Sequence, residues 1–232
     1  MKRFWTEARA APAEGGFGIV LDGRPVRTPH RHALVAPTAA LGAALAGEWA
    51  AVGDKIDPRA MPLTGLANAA IDIVAPDPAR FAAGIAAYGE TDLLAYRAES
   101  PANLVSAQAA AWDPLLDWAR GRYDIAVTVV AGIIHQAQPS ATLARLREAT
   151  AARDPFALAA LSPIVTIGGS LIAALALAEG AFDAEAIWQA VAFDELWQEA
   201  HWGRDDLAAR ARAAHRADYD AAVRFLSLLR AG

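Results

Sequence analysis

Residues 16–29 read GFGIVLDGRPVRTP. Phe17, Ile19 and Leu21 recur at a period of two, which places their side chains on one face of a strand. Asp22-Gly23 follows, a pair favoured in two-residue hairpin turns because both positions tolerate positive φ. Arg24, Val26 and Thr28 carry the return strand. A further short strand is expected through Ala33–Val35, and Phe4 and Trp5 also fit a strand. Past Pro37-Thr38 the period changes. Leu41, Leu45, Trp49 and Val52 recur at helical spacing, and Gly53 is a plausible stop.

Working outward, the remainder is mostly helical. Leu63–Ile73 lies between prolines and reads as a helix. Residues 79–96 form another, with a short extended end at Leu93–Tyr96. Residues 101–121 carry Leu104, Gln108, Trp112, Leu115 and Trp118 at helical spacing. Ile125–Val130 is β-branched and is expected to return to the sheet. From Ala141 onward the pattern is helical, with breaks expected near Asp154-Pro155, Ser162-Pro163, Gly180 and Gly203. The chain is therefore read as α+β. A small β-containing N-terminal domain, 1–80, joined by the strand at 125–130, precedes a larger α-helical domain, 81–232.

The 232 residues are 55% hydrophobic, enough to bury a sizeable core. Net charge is −5, and no basic face is visible, which argues against nucleic acid as a partner. Only Lys2 and Lys55 among the basic residues are lysine, and alanine is abundant, a composition that suggests a GC-rich bacterial genome. There is no cysteine, so disulfides, thiolate metal sites and cysteine nucleophiles are excluded. The N-terminus lacks the apolar run of a signal peptide and is no clear presequence; a cytoplasmic location is the expectation. Residues 155–178 carry no charge and are long enough to cross a bilayer. Ser162, Pro163, Gly168, Gly169 and Ser170 interrupt them, so they read as two buried helices around a turn near Ser162-Pro163 and not as a membrane span.

Three polar stretches are candidates for chemistry. In DELWQEAHWGRDD, 194–206, Asp194, Gln198, His201 and Asp205 share one face if the stretch is a single helix. A histidine and a carboxylate at that spacing can reach one metal ion, or Glu195, His201 and Asp205 could serve a small hydrolase. The rival readings are a solvated acidic face and, because Trp197 and Trp202 stand among the acids, an interaction surface. In YGETDLLAYRAES, 88–100, Glu90, Asp92, Arg97 and Glu99 could form an acid–base set. Structural pairing of Arg97 with a carboxylate fits better, because no nucleophile accompanies them. Thr64, Asn68 and Asp72 form a polar stripe expected to hydrogen-bond across a helix interface. Gly168, Gly169 and Ser170 lack the lysine of a phosphate loop and fit close helix packing.

The chain resembles the Atp12 family of ATP synthase F1 assembly chaperones from Arg3 to Leu229. RFW at 3–5, the hairpin at 16–29, LAGEWAAVGDKIDPRAMPLTGLANAAID at 45–72 and YGETDLLAYRAESP at 88–101 carry the resemblance. So do QAAAWDPLLDWA at 108–119, GGSLIAALALAEG at 168–180 and DELWQEAHWGRDD at 194–206. The resemblance implies a non-enzyme, without cofactor or metal, that binds the free F1 α subunit before β joins it. It further implies an α-proteobacterial, cytoplasmic member, whereas eukaryotic members work in the mitochondrial matrix. A monomer is the simpler expectation for a chaperone that must release its client. Glu195, Gln198, Trp202, Asp205 and Asp206 are the expected partner-binding residues, and Trp49, Asp92, Arg97 and Trp112 are expected to be structural. Two departures stand out: Ala95 replaces a frequent cysteine, and Arg204 replaces an acid in the late motif.

Overall fold

The structure, a computed structural model, describes residues 2–231. It is α+β, with a small β region near the N-terminus and a mostly helical body. The chain divides into two compact units. The first comprises the residues up to Pro78, the segment Asp154–Ala160 and the chain from Asp218 onward; the second comprises Ala79–Arg153 and Leu161–Ala217.

In the first unit, strand β2 (Gly16–Leu21) is central. It is flanked along its whole length by β1 (Ala8–Ala13), which runs antiparallel to it. At Asp22-Gly23 both residues have positive φ, 47° and 79°, as the hairpin turn requires. The return strand β3 is only Arg24–Pro25, but pairing continues irregularly, Val26 N–H donating to the Ile19 carbonyl. Strand β4 (Val35–Ala36) pairs with the start of β2. Phe4 and Trp5 do not form the expected strand. Trp5 is buried, its indole N–H donating to the Trp49 carbonyl, while Phe4 is exposed.

Helix α1 (Ala39–Ala51) starts where the Thr38 hydroxyl accepts from Leu41 N–H, and it packs on β1 and β2. Helix α2 (Pro62–Ala69) runs on into a π-helical turn at Ala70–Val74. The Glu48 carboxylate, reaching from α1, accepts from Leu63 and Thr64 N–H at 2.8 and 2.7 Å and so satisfies donors at the α2 N-terminus. Ile19, Leu34, Leu41, Leu45 and Leu63 are buried in this unit, as are Tyr219 and Phe225 of its C-terminal segment.

The second unit holds most of α3 (Pro78–Ala86), then α4 (Ala102–Tyr123), α5 (Ser140–Ala151), α7 (Leu171–Ala178), α8 (Ala184–Val191) and α9 (Phe193–Trp202). Helix α6 (Pro155–Gly168) belongs to it from Leu161, and α10 (Asp206–Arg230) as far as Ala217. Helix α4 packs against α7, α8 and α9. Trp112 on α4 is fully buried and donates to the Ala190 carbonyl at 2.7 Å.

The structure departs from expectation elsewhere as well; the helix expected over 79–96 ends at Ala86 and gives way to 3-10 turns. The break expected at Ser162-Pro163 is absent, and α6 runs through Pro163. A proline inside a helix costs about 3 kcal/mol; burial of Leu158, Leu161, Ile164 and Val165 outweighs it. The chain breaks instead at Gly169, whose φ is +63°, before Ser170 caps α7. The segment at 125–130, expected to return to the N-terminal sheet, supplies only the start of β6 (Val130–Ala131), which pairs in parallel with β5 (Tyr96–Arg97). Among the described residues no helix is long and apolar enough to cross a membrane.

Candidate functional site

The stretch 194–206 is not one helix. Helix α9 ends at Trp202, Gly203 turns the chain at φ +91°, and α10 starts at Asp206. Asp205 therefore leaves the helix that holds Asp194, Gln198 and His201. It accepts from Leu207 and Ala208 N–H at 2.7 and 3.2 Å, as an N-cap does.

The other charges of this stretch are engaged locally. Asp194 accepts from the Gln108 amide at 2.8 Å, and Gln108, itself buried, accepts from Ala98 N–H. That chain ties α9 to α4 and to the residue after β5. Glu199 and Glu195 both face Arg212, and Asp206 lies 3.4 Å from Arg204. His201 stacks on Trp197 with ring centroids 3.8 Å apart and shares a hydrogen bond with the Trp197 carbonyl. Among the described residues no group of three or more histidine or acidic side chains is placed to hold a metal ion.

The stretch at 88–100 has its own internal partners. Asp92 is buried and accepts from Leu94 N–H and, at 2.9 Å, from Ile172 N–H at the start of α7. Burial pushes its carboxyl up to about 6 against these hydrogen bonds. Arg97 donates to the Leu94 carbonyl and to Asp113 at 2.7 Å, and its guanidinium carbon lies 5.1 Å from the Trp112 ring centre. Trp49 is half-buried, with its ring edge-on to Trp5 at 5.4 Å.

Two of the depressions on the surface of the second unit contrast in make-up. The larger, about 900 Å³, has Arg122, Tyr123, Arg153 and Glu179 on its wall. Four of its polar groups pair with one another: Glu179 accepts from Arg122 and Arg153 at 2.6 Å each and from the Tyr123 hydroxyl at 2.8 Å. The smaller is a groove of about 440 Å³, with Tyr96, Glu99, Leu104, Ile133, Gln198 and Trp202 among the residues on its wall. Trp202 is 75% exposed, Ile133 95% and the adjoining Ile134 78%. Of the expected partner-binding residues, Gln198 and Trp202 line this groove. Glu195 is exposed elsewhere on α9, and Asp205 and Asp206 stand at the start of α10. Sequence reasoning missed Ile133 and Ile134. Adjacent isoleucines after a β-branched run read as core, and only the fold brings Ile133 to the same groove as α9.

A groove bordered by large exposed apolar side chains has the make-up of a protein-binding surface. Comparison with known proteins points the same way. Residues 2–120 match the family model described as ATP12 chaperone protein. The crystal structure of Atp12 from Paracoccus denitrificans superposes with a TM-score of 0.94 at 44% identity, covering 98% of each chain. A mutant form of the P. denitrificans protein gives the same TM-score at 43% identity, over 98% of this chain and 97% of that one. A protein from Agrobacterium tumefaciens, described as a proposed chaperone, superposes at 0.92 with 39% identity, over 98% of this chain and 86% of the other. The protein is thus of the chaperone class. It belongs to the ATP12 chaperone family.

Proposed function

We propose that the chain is an assembly chaperone for ATP synthase that binds the free F1 α subunit and keeps it from aggregating until β joins it. In this reading it works as a monomer in a bacterial cytoplasm, catalyses no reaction and needs no cofactor. The observation that carries it is the groove with Trp202 and Ile133 on its wall. Single exposed apolar residues are ordinary, but two on one groove, with Ile134 beside them, suit a surface kept for a partner. An unassembled subunit exposes apolar surface that its neighbour will later cover, and such a groove can shield part of it. Glu99 on the wall, with Glu195 and Asp206 exposed on α9 and α10, would set the rate and register of encounter more than the affinity.

Co-expression of the α subunit with variants of this protein tests the site. Trp202→Ala and Ile133→Asp are both expected to leave the melting temperature of the chaperone unchanged, because both side chains are exposed. Each should weaken α binding by about 2 kcal/mol, roughly 30-fold, if they act as interface anchors. Soluble α should fall accordingly. Undiminished soluble α with both variants would mean that the groove is not where the client docks.

A further inference from the structure

The polar stripe Thr64, Asn68 and Asp72 divides into two parts. Asp72 is fully engaged: its carboxylate accepts from the Thr28 hydroxyl at 2.6 Å and from His30 N–H at 2.9 Å, and it shares a hydrogen bond with His32 Nδ1. Thr64 Oγ1 and Asn68 Oδ1 are buried and have no hydrogen-bond partner within the protein. One further side-chain atom among the described residues shares that condition, the Trp49 indole nitrogen. All three residues line the same pocket of the first unit, about 280 Å³ in volume. A buried polar atom left without a partner carries an uncompensated loss of hydration, so three of them on residues that line one pocket point to a ligand. Thr64 is only 5% exposed, and its backbone is held in place by the bond from its own N–H to Glu48.

The chemistry of the wall is specific. Trp49 offers one N–H donor, Asn68 one carbonyl acceptor and Thr64 a hydroxyl that serves as either. Ile56, Pro58 and Met61 make much of the remaining wall apolar, and Arg27 is the one charged residue on it among those described. A cation would face Arg27 and the indole N–H. A carboxylate would leave Asn68 Oδ1 without a donor. A primary carboxamide matches all three: its carbonyl accepts from Trp49, and its two N–H groups donate to Asn68 and Thr64. Rotation of the Asn68 amide about its broad terminal torsion changes the direction its oxygen faces with little strain.

We propose that this pocket is a carboxamide-recognition subsite, which takes an asparagine or glutamine side chain of a bound polypeptide. It is smaller than the roughly 300–1,000 Å³ of pockets for drug-sized ligands, so it suits one side chain. The inference rests on the chaperone reading only for the source of that side chain. Its lining residues all belong to the first unit, whereas those of the groove belong to the second.

The test uses the full chain labelled with 15N and follows the indole N–H resonance of Trp49, assigned by its loss in Trp49→Phe. The probe is N-acetyl-glutamine-methylamide, with the matching glutamate and methionine compounds as controls. The glutamine compound is expected to shift that resonance saturably, with a dissociation constant on the order of millimolar, and at least about tenfold more tightly than either control. Thr64→Val and Asn68→Leu, with melting temperatures at or above the parent's, should each abolish the shift. An absent shift, an equal one with either control, or a shift retained in both variants would overturn the proposal and leave buried water as the partner of these atoms. Because the probe is a blocked amino acid, a wrong client for the chaperone would leave the Trp49 shift intact.

Discussion

Asp92 is a carboxylate whose ionisation works against the fold that holds it. Its folded-state pKa of about 6 lies above the value of 3.8 for an unperturbed group. The sign follows from linkage: its stabilising contribution is complete below the unfolded value and is lost as pH rises from about 4 to about 6. That gap corresponds to roughly 3 kcal/mol. Urea unfolding of the parent and of Asp92→Asn at pH 4.5, 5.5 and 6.5 checks this. The difference between the two proteins should shift in favour of the variant as pH rises, and a pH-independent difference would contradict it. Asp72 behaves oppositely. Burial raises its pKa, but the hydrogen bonds from Thr28, His30 and His32 outweigh burial and the net shift is downward. Its contribution is present above the unfolded value and lost in more acid solution. The late acids differ as well. Asp205→Ala removes a helix cap and should cost about 1 kcal/mol. Asp206→Asn, exposed beside Arg204, should cost only about 0.3 kcal/mol and lower the rate of α binding at low salt. Unfolding curves and stopped-flow association separate the two.

At the scale of elements, strong local signals are legible in the sequence and compensated ones are not. The Asp22-Gly23 turn and the helical spacing of Leu41 and Leu45 are written in residues that favour few alternatives. Strand β1 has no such signal: it is ARAAPA, rich in alanine, and Pro12 is tolerated there because β1 lies at the edge of the sheet. It forms because every one of its residues finds a partner in the β2 register. Pro163 is the converse case, a strong breaker overruled by burial. The break that does occur, at Gly169, depends on a left-handed φ. Gly169→Ala should therefore destabilise the chain by about 1–2 kcal/mol, even though an added Cβ would come no nearer than 3.7 Å to Leu93. A variant with the parent's melting temperature would show that α6 and α7 can join without that conformation.

At the scale of the whole molecule, the fold class is legible because a period of two gives way to a helical period at one place, Pro37-Thr38. The returns of Asp154–Ala160 and of the residues from Asp218 to the first unit span long stretches of chain, and no local pattern encodes them. The candidate site is legible in part for the same reason. Trp202 and Gln198 announce themselves beside a run of acids, but Ile133 joins them only through the fold. The acids that draw attention to the stretch serve mainly as caps and ion-pair partners. Capture of the free F1 α subunit by a monomer of this chaperone is tested most directly by co-expression with the α and β subunits of the same organism, followed by affinity purification and determination of mass in solution. The predicted result is a one-to-one complex with α, which stays soluble, and no complex with β. Aggregated α with β retained, or with neither subunit retained, would contradict it.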